Sequence, residues 1–476
     1  MQLHFLVPLC VVAMACASVS DPRSPAPGDP AWLLEARAKA GQMERYDVRA
    51  SDGWFRATVP ARPMEAIVDA EDGQYGLRLD IGAPHPIACA VLRDAPDPPY
   101  FLQNASRATL SELARESAGV DRYGIADIDV GAIDGAIFME IVWDVVLESA
   151  EGRTAGSVDL LYGIREGAGV FCTKIDIGFR LEFLAVFSQL LERLELAKPR
   201  RAAAFEDITL VSWDGQPVGL SVETVRIDED GYVQDEQHYH RLYSTGGKQL
   251  AALTRYAYEW VDPEDLSMIH AGMVRVVNGT MALNVKLEWS GNQERWVVHG
   301  QNDGENFTAP LEGRRGPDTI LASIRDVREL LASANPVGSS VEIRRWRSFA
   351  PTQVETSTLR ITDIVDDEHV RAELESQSSH DEMVLDRRTG MFVSSIGKSE
   401  SRVVERRRIY VAGSLSGFES AAPASRCRPP SRPCTSRVAA GHGMKAPLNP
   451  ANGSGPRAQG DGAEDGGRLV GNPSSP

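Results

Sequence analysis

Between residues 205 and 412 the chain is broken at short intervals by two-residue turn signals. Asp214-Gly215, Asp230-Gly231, Gly246-Gly247, Asn278-Gly279 and Gly291-Asn292 each divide runs rich in β-branched and aromatic residues. Such dipeptides tolerate the positive φ of a tight hairpin turn, so each marks a reversal between antiparallel neighbours. The runs between them cover 207–213, 217–228, 233–244, 248–261, 273–277, 280–290 and 294–302. A chain that reverses at every such step builds a meander. Further strand-like runs follow at 341–349, 353–364, 370–375, 383–386, 391–396 and 402–411. A sheet of this many strands must curl or be covered. One helix interrupts the series. Asp318 is placed to cap it, and Ile320, Ile324, Val327 and Leu331 fall on one face, the natural cover for the apolar side of the sheet.

Upstream, residues 46–196 mix two periods. Strand-like runs at 54–59, 75–81 and 86–92 precede a helix carrying Leu110 and Leu113, for which Asn104 or Ser106 is a cap and Gly119 the stop. Strands at 136–147, 157–162 and 170–177 follow. Phe183, Leu184, Phe187, Leu190, Leu191 and Leu194 then form a single stripe at helical spacing, ended before Pro199. The expected fold class is α+β: a small α/β sandwich-like domain at 46–196, then a large antiparallel β-sheet domain with one covering helix at 205–412. Residues 197–204, with Pro199-Arg200-Arg201, read as a linker across which few contacts pass. Residues 18–45 are a Pro-rich linker and a short helix opened by Asp29-Pro30. Residues 413–476 have almost no apolar side chains, Phe418 is their only aromatic, and they read as a disordered C-terminal tail.

Compartment is read from the first residues. From Leu3 to Ala15 the chain is apolar except for His4, and Ala13, Ala15 and Ala17 crowd its end. That length suits the core of a signal peptide, here 1–17, and is too short to span a membrane. Ordinary cleavage after Ala17 is the preferred reading. Val12-Ala13-Met14-Ala15-Cys16 also resembles a bacterial lipoprotein signal, in which Cys16 becomes a lipidated first residue and attaches the chain to a membrane. Either way the expected location is the periplasm or cell envelope. Of six cysteines, Cys10 and Cys16 lie in the signal and Cys427 and Cys434 in the tail. Cys89 and Cys172 lie in strand-like segments; they either close a disulfide in an oxidising compartment or stay as two buried thiols, the reading preferred from sequence.

The formal net charge is −17, and the tail from 413 holds seven basic residues against four acidic, so the folded part is more acidic still. Such a body repels a phosphate backbone, and no basic patch interleaved with aromatics is visible; nucleic acid is not an expected partner. Chemistry-bearing motifs are sparse. Glu236, His238 and His240 alternate along one strand and could share a face, as metal ligands or as a solvated polar face, the latter preferred. Asp127, Asp129 and Asp134, near Gly131 and Gly135, offer loose calcium ligation or a solvated turn. His270 and His299 complete no catalytic set. Gly413-Ser414-Leu415-Ser416-Gly417 fails the nucleophile-elbow pattern because its middle residue is leucine. No phosphate-cradling glycine loop or dinucleotide fingerprint occurs. Trp213, Trp260, Trp289, Trp296 and Trp346 could line a cleft or simply pack. Asn104, Asn278, Asn306 and Asn452 begin glycosylation sequons.

Two resemblances follow from particular motifs. Trp54-Phe55 with Val59-Pro60, the strand from Cys172 to Phe179 and the closing helix make residues 46–196 similar to the PsbP/Mog1 type of α/β domain. Trp213-Asp214-Gly215-Gln216-Pro217-Val218-Gly219, Glu259-Trp260 and Leu385-Asp386-Arg387-Arg388-Thr389-Gly390 make residues 205–412 resemble the β-rich domain that precedes transglutaminase-like domains in bacterial exported proteins, and sheet-plus-helix domains of the lipoprotein-carrier type. No Cys–His–Asp domain follows, so the resemblance implies a fold and not an activity. The expected function is an exported, non-enzymatic binding or envelope-scaffold protein, with no catalytic residue and no cofactor. One alternative is a carrier or sensor of an apolar small ligand held between sheet and helix. Another is the accessory part of a transglutaminase-like or peptidase system. A partner protein or an apolar ligand is the expected partner.

Overall fold

A computed structural model describes residues 29–415, except 66–67, 71–72, 117–118, 150–151, 199–202, 313–315, 347–349, 378 and 400–401. The signal segment, Cys16 and most of the tail lie outside the described residues. In chain order the elements are α1 (Leu33–Gln42), β1 (Tyr46–Arg49), β2 (Phe55–Val59), β3 (Arg62–Pro63), β4 (Val68–Ala70), β5 (Gln74–Asp80), β6 (Ile87–Leu92), α2 (Pro98–Glu116), β7 (Gly119–Ile133), β8 (Ala136–Ser149), β9 (Gly152–Arg165), β10 (Ala168–Lys174), α3 (Arg180–Glu192) and β11 (Glu195–Leu196). There follow β12 (Phe205–Trp213), β13 (Gln216–Ile227), β14 (Val233–Ser244), β15 (Leu250–Val261), β16 (Met268–Val277), β17 (Thr280–Ser290), β18 (Arg295–Asn302), β19 (Glu305–Pro310), α4 (Ile320–Leu331), β20 (Ser340–Trp346), β21 (Val354–Ile364), β22 (His369–Ser376), β23 (His380–Asp386), β24 (Phe392–Ser399) and β25 (Arg402–Gly413). The chain is β-rich and α+β, as its alternation of periods implies.

Three antiparallel sheets result. One joins β1, β2 and β11; one runs β3-β5-β6-β10-β9-β8-β7 with β4 beside β5; the third has fourteen strands. In the third, β12 to β19 form one meander and β20 to β25 another, and β25 pairs with β12 along its length. The free edges are therefore β19 and β20, the two strands that flank α4 in sequence. The connecting segment bonds to both sides of this seam. Leu311 N donates to Trp296 O at 2.9 Å, Glu312 N to Thr352 O at 2.8 Å, and Asp318 N to Arg344 O at 2.8 Å. The sheet thus curls until its edges nearly meet, the outcome its strand number requires.

Helix α4 packs against the inner face. Leu321 and Ile324 meet Phe205, Val225, Val233 and Val261, all near one end of β12 to β15. Val327 and Leu331 meet Leu359, Ile361, Val370 and Leu385 of the other half. The helix therefore closes one end of the curled sheet. Its cap differs from the sequence expectation: Thr319 Oγ1 accepts from Ala322 N at 3.1 Å, while Asp318 Oδ2 accepts from Arg344 N at 3.0 Å. A helix at 98–116 likewise begins earlier than expected, with Asn104 and Ser106 inside it, because Asp97-Pro98 supplies a cap residue and a proline at the first helical position.

Residues 46–196 and 205–412 share apolar surface across the segment expected to be a bare linker. Leu102 of α2 and Met139, Ile141 and Leu160 of the second sheet lie in one buried cluster with Ile208, Leu220, Val222, Leu242 and Ile409. The sequence could not show this, because the outer-face residues of β12 to β15 read there as one side of an ordinary half-buried strand. A second cluster places α1 and α3 against β2, β5, β6 and β10. There Cys89 and Cys172 are direct cross-strand partners on β6 and β10, and their sulfurs form a disulfide at 2.05 Å. Two separate thiols, the sequence preference, are replaced because register sets the side chains face to face. At the other end, Gly413 pairs with Phe205, and Ser414 N donates to Ala204 O at 3.1 Å. The ordered sheet thus reaches slightly beyond 412. Leu331, the last residue of α4, is 2% exposed in its contact with the second half of the sheet. Leu331→Ala should lower unfolding stability by about 2–5 kcal/mol, read by urea denaturation of the purified chain.

Candidate functional site

Alternation along the curled strands sends one set of side chains to the inner face, where α4 sits, and the other outward. The register aligns the inner set into tiers across β12 to β17, about 7 Å apart because a strand rises about 3.4 Å per residue. The tier beneath α4 is apolar, with Val233 opposite Val261. In the next, Val225, Asp235, Glu259, Ala271 and Leu287 are consecutive partners. The third holds Asp207 opposite Glu223. The fourth runs Thr209, Ser221, Tyr239, Arg255 and Arg275, with Arg408 opposite Thr209. The fifth contains Arg406, Val211, Gly219 and Arg241. Charge is therefore layered, acids nearer the helix and arginines nearer the far end.

Burial follows the same axis. Val225, Val233, Asp235 and Val261 are at most 1% exposed, whereas Ser221, Tyr239, Arg241, Arg255 and Arg275 are half-buried. Exposure along the inner face therefore rises with distance from α4. At that far rim Arg241 and Arg402 lie 4.3 and 4.6 Å from the Trp213 ring, Tyr243 packs on Trp213 at 4.8 Å, and Arg255 lies 5.4 Å from the Tyr239 ring.

Enclosure governs the acids. Burial pushes the Glu223 carboxyl up to about 7, with the Asp207 charge adding and Arg345 and Arg408 opposing. Burial also raises Asp235 well above the usual carboxylate range, reinforced by Glu223 and Glu259. Glu259 is raised by burial, against Arg345 and the α4 amide of Ile320, which donates to Glu259 Oε2 at 2.9 Å. Arg345 belongs to β20, so its presence among these acids is a contact made across the curl. Asp207 is raised by burial but ion-paired with Arg408. Burial lowers Arg255, and neighbouring Arg241 and Arg406 push the same way while Tyr239 opposes.

The residues singled out from sequence lie elsewhere. Glu236, His238 and His240 do share a face of β14, the outer one. There Glu236 accepts from Gln234 Nε2 at 3.0 Å, from the Tyr256 hydroxyl at 3.1 Å and from Arg226. His238 packs on Tyr256 at 4.8 Å, and burial lowers His240 to about 4, holding it neutral 3.9 Å from Asp97. Among the described residues no group of three His, Cys, Asp or Glu side chains is arranged to hold a metal. Asp129 accepts from Trp32 Nε1 at 3.1 Å, and Asp134 sits in the β7–β8 turn. His299 pairs with Glu288 at 3.0 Å, and His270 stacks on Trp260 at 5.8 Å. Of the five tryptophans, Trp213 joins the inner rim, Trp260 lies on the outer aromatic row, Trp289 meets Trp296 edge-on, and Trp346 Nε1 donates to Pro351 O at 2.6 Å. The charged tiers escaped the sequence reading because charged residues occur on both faces of β13 to β15. Only the even spacing of Asp235, Tyr239 and Arg241 along one strand hinted at a common face.

No protein-family model matches the chain, and no curated protein matches it. Among solved structures it is similar in part to a β-barrel-like protein of a domain of unknown function, DUF1849, from Brucella abortus, with 11% identity and a TM-score of 0.33 over 44% of this chain and 96% of that one. It is also similar in part to cyanobacterial PsbP (CyanoP) from Synechocystis sp. PCC 6803, with 10% identity and a TM-score of 0.22 over 32% of this chain and 91% of that one. These partial likenesses are to β-rich and PsbP-type structures, too distant to carry an argument about activity. Neither supports the transglutaminase-associated resemblance.

The raised carboxyl of Glu223 has a pH consequence. From its ordinary 4.5 up to about 7 the folded chain holds a proton that the unfolded chain has released, so this group's contribution to stability falls as pH rises through that window. Glu223→Gln abolishes the titration. The melting temperature of the variant relative to the parent should therefore climb between about pH 5 and about pH 8, and a flat difference would show that Glu223 is charged throughout.

Proposed function

We propose that the protein is an exported, non-enzymatic binding protein whose binding surface is the inner wall of the curled sheet. The observation that carries this reading is the graded interior: packed and apolar under α4, polar and half-buried beyond it. A wall of that kind offers fixed charges and aromatic rings that could orient a guest, as the few polar groups of a ligand pocket do. Export is supported by the apolar segment at 3–15 and by the Cys89–Cys172 disulfide, which suits an oxidising compartment. No helix of the described residues is long and apolar enough to cross a membrane. The alternative of an apolar ligand beneath the helix is less favoured, because Leu321, Val327 and Leu331 already fill that space against the sheet.

Two measurements test the reading. Mass spectrometry of the full chain expressed in a bacterium should find a mature protein beginning at Ser18, or a lipidated one at Cys16; recovery of intact Met1 from the cytoplasm would remove export. In a background carrying Cys427→Ser and Cys434→Ser, Ser221→Cys should react readily with a charged thiol reagent, and Val225→Cys, four residues along the strand and nearer α4, should resist it. Equal protection of both would close the interior and end the binding reading.

A further inference from the structure

A separate site lies on the N-terminal part and does not depend on the inner wall of the curled sheet. Alternation gives the small sheet of β1, β2 and β11 two faces. Val48, Phe55, Ala57 and Val59 are buried in the cluster that holds α1 and α3. Asp47 and Arg49 of β1 and Arg56 of β2 are exposed on the opposite face. There Arg49 pairs directly with Arg56, and Arg56 with Glu195 of β11. Arg193, at the C-terminal cap of α3, and Arg45, just before β1, join them around a cleft of about 710 Å³. The cleft holds four arginines against two acids, in a chain with 67 acidic residues and 50 basic ones. Both acids are engaged. Asp47 Oδ1 accepts from Thr58 Oγ1 at 2.8 Å, and Glu195 Oε2 accepts from Arg56 Nε at 2.6 Å. The guanidinium groups of Arg45, Arg49 and Arg193 make no hydrogen bond or ion pair among the described residues. Like charges directly opposite on paired strands, as Arg49 and Arg56 are, repel, and an anion held beside them relieves that repulsion.

We propose that this cleft binds a phosphate group, held by Arg45, Arg49 and Arg193. Four guanidinium groups against two carboxylates leave the cleft two positive charges in excess. That excess matches a phosphate monoester, which carries about −1.5 to −2 near neutral pH. Guanidinium presents a planar fork of N–H donors that matches phosphate oxygens bidentately. The three unengaged arginines come from the edge of a sheet and from the end of a helix, so they approach the cleft from two sides and suit a tetrahedral group with oxygens on every side. The overall charge of −17 opposes a long polyanion but not a single phosphate group that enters a locally positive cleft. Because the arginines are exposed, each contact is worth no more than a surface ion pair, and affinity comes from several acting together.

The test uses the mature full chain, titrated calorimetrically at low ionic strength with inorganic phosphate, and with succinate as a dicarboxylate of similar charge. Vesicles of phosphatidic acid, with phosphatidylcholine as control, form a second arm. Saturable binding of phosphate in preference to succinate points to a soluble phosphate compound; retention on phosphatidic acid vesicles alone points to a lipid headgroup, and either supports the proposal. Arg49→Gln and Arg193→Gln should each weaken the binding about three- to fivefold, the scale of an exposed ion pair, and the double variant should weaken it more than either. Both side chains are exposed, so the unliganded variants should melt no lower than the parent. Arg360→Gln, which removes an equally exposed arginine from β21, should leave affinity unchanged. Equal weakening by Arg360→Gln would reduce the effect to net charge and overturn the assignment. So would unchanged binding in Arg49→Gln and Arg193→Gln, succinate binding as tightly as phosphate, or absence of binding in both arms. The reactivity of Ser221→Cys, which tests the inner wall, stands apart from all of these results.

Discussion

The pairing of β25 with β12 is the contact on which the rest of the molecule depends. It joins two meanders that would otherwise be separate sheets, each with two free edges. It also brings together residues about two hundred positions apart, among them Arg408 and Asp207, an ion pair at sequence separation 201. Once it forms, the remaining free edges belong to β19 and β20, and the α4 connection lies across that seam. Exposed strand edges invite pairing with other chains. Here the segment from Leu311 to Asp318 satisfies backbone groups on both sides of the seam, so the curl protects its own opening.

The same curl separates two environments on one sheet. Outward, β12 to β15 meet α2 and β7, and a continuous apolar cluster fixes the N-terminal part against the sheet. The Asn278-Gly279 turn serves this docking as well as its hairpin. Asn278 Oδ1 accepts from Ala252 N at 2.9 Å and from Gln103 Nε2 at 3.2 Å. Gly279 has φ +78°, and a Cβ there would come within 1.9 Å of the Tyr100 ring. A glycine is required both by the turn and by the aromatic ring laid over it.

Inward, the curl collects charges that would be harmless on an open sheet. Side chains that stand apart in water are brought around one axis, where lower dielectric strengthens every interaction among them. The response differs by sign. Carboxyls can take up protons, and the raised Glu223 and Asp235 do so as pH falls. Arginine cannot discharge in the accessible range, so its repulsion persists until a counter-charge arrives.

By itself the sequence determined the local grammar. Asp214-Gly215, Asn278-Gly279 and their neighbours specified hairpins, because positive φ at a two-residue turn has few chemical solutions. The stripe of Ile320, Ile324, Val327 and Leu331 specified a helix that must bury one face, and the structure buries Leu321, Val327 and Leu331 deepest. Tertiary structure decided everything that depends on register over long separations. It set Cys89 opposite Cys172, bonded Arg344 to Asp318 across the seam, and placed Arg345 of β20 among acids of β13 to β15. The inner face was illegible for the same reason. A strand's side chains alternate whatever surrounds them, so period alone cannot say whether a charged face meets water or the inside of a curl. Only closure of the sheet, a contact between residues far apart in the chain, turned Asp235, Arg255 and Arg275 from surface charges into residues of an enclosed inner face.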